Sequence, residues 1–511
     1  MKARSSHALR YYEKTITVCV MLIMTVLPKV AFPQEAAPIC VFAQNRLSAG
    51  DAGSGFLARP AARRAVPVPV YDEALRPQFH FSAATNWLND PNGLVYYKGE
   101  YHLFFQYNEQ GINWGPNTWG HAISRDLVHW KQIDHAIKPD ADGWIWSGSA
   151  VVDARNTAGL KAGDEDTLVA IYTRGGGGKP VQQAIAYSND RGRNWTKYTD
   201  NPVLGHIIDA NRDPKVIWHE PTTKWIMALY LTGNDYALFA SSDLKKWEKL
   251  CDVVVPGTGE CPDFFPLSLD GNSARTKWIF WGGEGVYLVG SFDGVKFVPE
   301  QEACRSEYGS NGYAAQTWSD TPDGRRIQIS WMRGGRYPAM PFNQQMSFPV
   351  ELSLRSYREG MRICRVPVKE LSSLYDKDHA WQDCVIKKGQ RLVVPTHHDL
   401  FAISARVQLD SGKAIGAFIH GINMRYDLEK KMFNLLGRDI LIEPVDGCLE
   451  FEVLVDRTSM ELFAQGGKAS ASFCCLPEPR DMPLEFLAEG GDIKFISLRV
   501  HELQSAWTEE K

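Results

Sequence analysis

What this sequence has little of narrows its reading first. Its 56 Lys and Arg against 60 Asp and Glu leave a net charge of −4, too small a field of either sign to draw the chain onto nucleic acid or an anionic membrane. A neutral substrate suits that balance. Past Leu27 no apolar run approaches the roughly 20 residues that span a bilayer. The 10 cysteines fall in no zinc-like pattern: no CxxC recurs, Cys474 and Cys475 are adjacent, and no His pair stands at ligand spacing with an acid. Neither a metal nor any other cofactor is expected. Cys19 lies in the leading apolar segment, which leaves an odd number of cysteines and at least one unpaired thiol. Long stretches of helical period are missing too.

The leading segment has the form of an export signal. Lys2, Arg4, Arg10 and Lys14 precede TITVCVMLIMTVL (15–27), about the length of a signal's apolar core and short for a membrane span. A signal over residues 1–36 predicts a secreted or periplasmic protein with no stable membrane association once it is removed. Residues 37–70, rich in Gly, Ala, Pro and Arg, predict a linker or loosely ordered arm.

From Tyr71 the chain alternates short β-branched and aromatic runs with Gly, Asn and Asp turns, an all-β pattern. At 511 residues it exceeds the size at which one core stops growing, so two domains are expected. The first carries an internal repeat. ISRDLVHW (123–130), YSNDRGRNW (187–195), SSDLKKW (241–247) and SFDGVKF (291–297) each end a strand at Ser, turn on Asp and restart on an aromatic. An Asp in such a turn bonds backbone two residues on, and the aromatic packs on the next sheet. The serines recur roughly 50 to 65 residues apart, and a fifth hairpin, AAQTWSDTPDGRRIQISWM (314–332), follows without the full signature. Repeats of that length predict a five-bladed β-propeller over 71–365, an ordinary β-sandwich with similar turns being the competing reading. Beyond about Asp376 longer alternating runs such as FAISARVQL and LEFEVLVDRTSMELF predict a C-terminal β-sandwich over 371–511.

Three acids occupy matching places. Asp90 precedes Pro91 in WLNDPNG, Asp213 precedes Pro214 in RDPKV, and Glu260 precedes Pro262 by two residues in ECPDFF. Each stands where a repeat opens, and first strands line a propeller's axis, so the three are expected to converge on one pocket. Carboxyls so gathered cannot all ionise freely: one stays protonated while another stays charged. Glycosidic cleavage needs that division, a proton donor for the leaving oxygen and a carboxylate for the anomeric carbon or a water. Trp87, Trp114, Trp119, Trp146 and Trp318 sit beside Asn, Gly or Ser, where indole faces can stack on a sugar.

WLNDPNG (87–93), WSGSA (146–150), RDPKV (212–216) and ECPDFF (260–265), in this order, resemble glycoside hydrolase family 32, the invertases, levanases, exo-inulinases and fructan exohydrolases. FEVLVDRTSMELFAQGG (451–467) is similar to that family's C-terminal signature, so the likeness runs from about Arg76 to Leu503. The resemblance implies retaining hydrolysis of terminal β-D-fructofuranosyl bonds in sucrose or fructan. Asp90 would then be the nucleophile, Glu260 the acid and later the base, and Asp213 the transition-state stabiliser. Asn89, Gln106, Trp114, Ser147, Arg212 and Trp318 would line the fructose subsite, and Cys261 would tune the acid beside it. WSGSA carries Trp146 where many members have Phe, and QQAIAYSNDRGRNW (182–195) looks closer to levanases and exo-inulinases than to plant acid invertases. A fructosyltransferase sharing the same intermediate, or a non-catalytic carbohydrate-binding propeller, are the alternative readings.

Overall fold

The computed structural model describes residues 71–409, 412–476 and 482–507. The expected export signal and arm lie outside these described residues.

From Asn86 to Pro367 the chain builds five four-stranded antiparallel sheets in succession, each strand paired with the next. Their first strands are Asn86–Tyr97 (β1), Trp144–Asp153 (β2), Arg212–His219 (β3), Asp263–Leu269 (β4) and Gly312–Thr317 (β5). These pack side by side in a closed ring, β1 touching both β2 and β5. The result is a five-bladed propeller with its first strands around the axis. The ring is fastened where Phe342–Asn343 pairs in parallel with Asn86 and Trp87 at the start of β1. Blades stacked face to face bury their middle strands on both sides, which explains apolar runs such as TLVAIYT in Thr167–Gly176, whereas the outermost strand Glu248–Val254 is largely exposed.

The repeated Ser-x-Asp signature joins the third and fourth strands of blades 1 to 4. Asp126 Oδ1 accepts the backbone N–H groups of Val128 (3.0 Å) and His129 (2.8 Å), and Asp243 Oδ1 those of Lys245 and Lys246 (2.9 Å each). The residue after the Asp turns left-handed, at φ 67° for Leu127, 60° for Arg191, 61° for Leu244 and 95° for Gly294. Three of these four are not glycine, so the Asp and the following Trp must hold a backbone that sterics disfavour. The indole N–H of Trp130 reaches the Leu127 carbonyl (3.0 Å) and that of Trp247 the Leu244 carbonyl (3.2 Å). The fifth hairpin, Ala314 to Met332, lacks the signature because it joins the first and second strands of its blade. Its true counterpart is the tight turn closed by Tyr357 and Gly360.

After a short 3-10 helix, Lys369–Leu374, the chain forms two six-stranded sheets. They face one another across a core that includes Ile403, Phe451, Leu462, Tyr426 and Phe486. From Ile403 to Gln408 burial alternates as in a strand with one covered face, while Phe401 and Ala402 are both buried. The outer side of the first of these sheets is covered as well: Leu454, Phe463 and Leu503 share one apolar cluster with Trp130, Trp318 and Phe348 of the propeller. Within that junction lies His80, fully buried, with Nδ1 2.8 Å from Asp456 Oδ2 and Nε2 2.7 Å from Glu461 Oε2. A carboxylate at each ring nitrogen requires both nitrogens to donate, so the ring is an imidazolium. Burial alone would lower its pKa, but the two carboxylates outweigh burial and push it up to about 9. All eight cysteines among the described residues are free thiols.

Candidate active site

The polar clusters around the acids mark β-bulges. In β1, Leu88 faces Tyr107 and Pro91 faces Phe105, so Asn89 and Asp90 together oppose Gln106. In β2, Trp146 and Ser147 oppose Thr173; in β3, Asp213 and Pro214 oppose Leu229; in β5, Ala314 and Ala315 oppose Ser330. Four of the five inner strands therefore carry an extra residue at the same end of the ring. A bulge breaks the ladder and re-aims a side chain, here toward the axis, and it tolerates a proline that a regular central strand would not. Gly148 follows in the second bulge because a Cβ there would fall 2.1 Å from the Ile171 carbonyl oxygen.

Two of the acids sit on left-handed backbone, Asp213 at φ 63° and Glu260 at 57°, with Cys261 at 42°. Non-glycine residues held there cost on the order of 1–3 kcal/mol each, which the surroundings must offset. The Asp213 N–H donates to Thr173 Oγ1 (2.9 Å), and the Cys261 N–H to Asp213 Oδ2 (3.1 Å). The Glu260 carbonyl accepts from Gly283 N and Tyr236 OH, each at 3.2 Å.

The three carboxyls meet through short contacts. On Asp90 Oδ2 converge Ser147 Oγ (2.6 Å), Gln106 Nε2 (3.2 Å) and Cys261 Sγ (3.8 Å), and the same sulfur lies 3.5 Å from Asp213 Oδ2. Arg212 Nη2 stands 2.5 Å from Glu260 Oε1 while its Nε is 3.7 Å from Asp213 Oδ2. The hydroxyl of Tyr313 donates to Glu260 Oε2 at 2.6 Å. Asp90 and Asp213 are deep, 8% and 3% exposed, whereas the Glu260 side chain is 37% exposed. Two acids thus form a floor, and the third stands at the mouth.

Burial raises the pKa of Asp90, helped by the charge of Glu260 and opposed by Ser147, Asn89 and Arg212. Burial, with the charges of Asp90 and Glu260 and against the pull of Arg212, pushes Asp213 up to about 7. The Cys261 thiol, buried among three acids, is raised well above its ordinary value. It stays protonated and can only donate.

Of the subsite residues expected from the sequence, Gln106, Ser147 and Arg212 contact the acids directly, and Asn89 shares the bulge with Asp90. Asn89 Oδ1 accepts the Trp87 indole N–H at 2.9 Å. Trp114 lies on the rim, 53% exposed, its ring edge-on to Trp144 with centroids 5.6 Å apart. Trp318 is not part of the pocket. It is fully buried, donates its indole N–H to the His102 carbonyl (2.9 Å) and stacks on Trp130. Trp119 is likewise fully buried. Both expectations fail because an indole beside small polar residues in sequence can still be enclosed by other blades. Tyr313 and its neighbour Trp331, whose ring approaches both Tyr313 and Trp87 at 6.1 Å, were missed. Their signal was available: Tyr313 adjoins the fifth-blade bulge equivalent to those carrying Asp90 and Asp213.

A deep pair of carboxyls with a third, more exposed one at the mouth of a propeller axis is an arrangement suited to glycosidic cleavage. Comparison with known proteins narrows that reading. A profile described as "Glycosyl hydrolases family 32 N-terminal domain" matches residues 80–367, and one described as "Glycosyl hydrolases family 32 C terminal" matches 423–502. A levanase of Bacillus subtilis (strain 168) is 38% identical over 86% of this chain and 72% of its own length. The extracellular exo-inulinase inuE of Aspergillus ficuum is 30% identical over 86% of this chain and 96% of its own. Among solved structures, an exo-inulinase from Aspergillus awamori superposes with a TM-score of 0.78 at 27% identity, covering 86% of this chain and 100% of that one. A fructofuranosidase from Schwanniomyces occidentalis in complex with fructose gives 0.77 at 26% identity, over 85% and 99%. The chain belongs to glycosyl hydrolase family 32.

Proposed function

We propose that this glycoside hydrolase is a retaining β-fructosidase that removes terminal fructofuranosyl units from fructan or sucrose. Asp90 is the nucleophile. Three donors converge on its Oδ2, so Oδ1 attacks the anomeric carbon, and the carboxylate is steadied without its other oxygen being engaged by them. Glu260, at the mouth, protonates the departing oxygen and then takes a proton from the entering water. Arg212 and Tyr313 fix both of its oxygens, orienting them toward the leaving group. Asp213 accepts hydroxyl hydrogen bonds from the fructosyl ring, which strengthen as positive charge develops at the anomeric centre. Asn89, Gln106 and Ser147 complete the floor. Trp114 contributes from the rim.

The observation carrying this reading is the pairing of a deep Asp90, held through one oxygen by three donors, with a more exposed Glu260 clamped by Arg212 and Tyr313. The relatives described as levanase and exo-inulinase support fructan as the polymer acted upon. The basic and apolar stretch over residues 1–36 supports export. Among the described residues no helix is long and apolar enough to cross a membrane. Methanolysis tests the mechanism: with sucrose and methanol, the trapped product is expected to be methyl β-D-fructofuranoside. The α-anomer would overturn retention, and no fructose from sucrose, levan or inulin would overturn the activity.

A further inference from the structure

The loops at the acid-bearing end of the propeller expose isoleucine and tryptophan side chains beside polar ones such as Asn113, His206 and Asp209. The propeller's large exposed apolar residues include Ile112 (44%), Trp114 (53%), Ile207 (44%) and Ile208 (43%). The others, Val254, Val295, Val298 and Val366, are valines on the outermost strands or the turns leading to them. Ile112 and Trp114 sit on the loop between Glu100–Asn108 and Thr118–Ser124, at the end of blade 1 that bears Asp90. Ile207 and Ile208 sit on the loop that runs from blade 2 into Arg212. The two pairs flank β2, one on each side.

The isoleucine loop is built rather than slack. Asn211, fully buried, accepts the backbone N–H groups of Ile207 (3.0 Å) and Ile208 (3.3 Å) on its Oδ1, and its carbonyl takes Gln183 Nε2 at 3.2 Å. Arg212 Nη1 donates to the Ala210 carbonyl at 2.6 Å. The guanidinium that holds Glu260 thus also anchors the loop that presents the two isoleucines. Apolar side chains left part-exposed forgo burial free energy, and exposed apolar surface beside a pocket can serve as a binding contact. The ring cleaved off lies among the acids below. What reaches the rim is the part of the substrate beyond the scissile bond.

Resting on the fructosidase reading, we propose that Ile207 and Ile208, with Ile112 and Trp114 on the other side of β2, bind the second and third fructosyl units of a chain. They make the enzyme a fructan hydrolase ahead of a sucrase. Successive fructosyl rings present C–H edges that an isoleucine or an indole can cover, while sucrose offers only one polar glucosyl ring past the bond.

The test is the double variant Ile207→Ser/Ile208→Ser, assayed on sucrose and on fructan oligomers of increasing length in both linkages. Both side chains are solvent-facing and the loop is held by Asn211, so the fold is retained. For chains of three or more units, kcat/KM should fall about tenfold. The loss should sit in KM with kcat kept, the mark of binding shared by ground and transition states. On sucrose the change should stay within about twofold, and Ile207→Leu/Ile208→Leu should recover most of the loss. A fall confined to one linkage supports the proposal and names the chain the rim accepts. Equal effects on sucrose and chains, or none on either, overturn it. If the wild-type enzyme releases no fructose from any of these, the underlying fructosidase reading fails instead.

Discussion

Asp213 occupies surroundings that favour its neutral form, yet its proposed task is to accept hydrogen bonds. With a folded pKa of about 7 against an ordinary 3.8, the native state keeps a proton that the unfolded chain releases as pH rises. Stability is therefore lost between about pH 4 and pH 7, where the unfolded chain is ionised and the buried group is not, and the loss levels off above about pH 7. Asp213→Asn removes that loss. The variant should exceed wild type at pH 8 by several kcal/mol, about 4 for a shift from 3.8 to about 7, and match it near pH 4, as read by thermal unfolding across pH. Its kcat/KM should fall by about a hundredfold or more. A variant no more stable than wild type at pH 8 would show that Arg212 already neutralises the buried charge. Asp90→Asn should lower kcat by three or more orders of magnitude on every substrate, with the melting temperature unchanged or higher; ordinary turnover would remove Asp90 from the mechanism. Trp318 carries the opposite lesson. Its neighbours in sequence, Thr317 and Ser319, suggest a wet loop, but Tyr101 and Trp130 from another blade close over it. No local pattern reports contacts made by residues two hundred positions away.

Turns are local events, and they were the most legible features. The Ser-x-Asp pattern followed by an aromatic, with three residues between them in blades 1, 3 and 4 and four in blade 2, places hairpins correctly in blades 1 to 4 because the Asp satisfies backbone donors within its own turn. Asp243→Ala should cost about 1 kcal/mol of stability, measured by denaturant titration, with sucrose kinetics unchanged. No loss would mean that the Trp247 indole bond alone holds Leu244 left-handed. The bulges are half-legible. Pro91 and Pro214 beside an acid signal that a central strand is interrupted there, but Trp146-Ser147 and Ala314-Ala315 carry no such marker. Their register is set by the partner strand. The fifth hairpin shows the limit of pattern matching: it was grouped with the repeat by its turn residues, although its place in the blade differs.

The propeller and the sandwich are held as one body by apolar contact around Phe348, Leu454 and Phe463 and by buried charge around His80. His80 is raised to about 9, so its stabilising charge is fully present below about pH 6.5 and is lost as pH climbs through 9. His80→Gln leaves Asp456 and Glu461 without their cation and should cost about 3–5 kcal/mol at pH 6. It should also flatten the fall in melting temperature between pH 7 and pH 9.5. An unchanged pH profile would mean that another group titrates there.

The order of the motifs, the all-β class, the repeated blade turns and the matching places of Asp90, Asp213 and Glu260 were all readable from the linear chain. Each depends on side chains bonding backbone a few positions away, or on short patterns of residue type. The contacts through which Asp90, Asp213 and Glu260 meet, the unequal burial that separates floor from mouth, the recruitment of Tyr313 and the exclusion of Trp318 were not. These follow from five blades closing into a ring, because distance and dielectric at an axis are set by residues that meet only when the ring is shut.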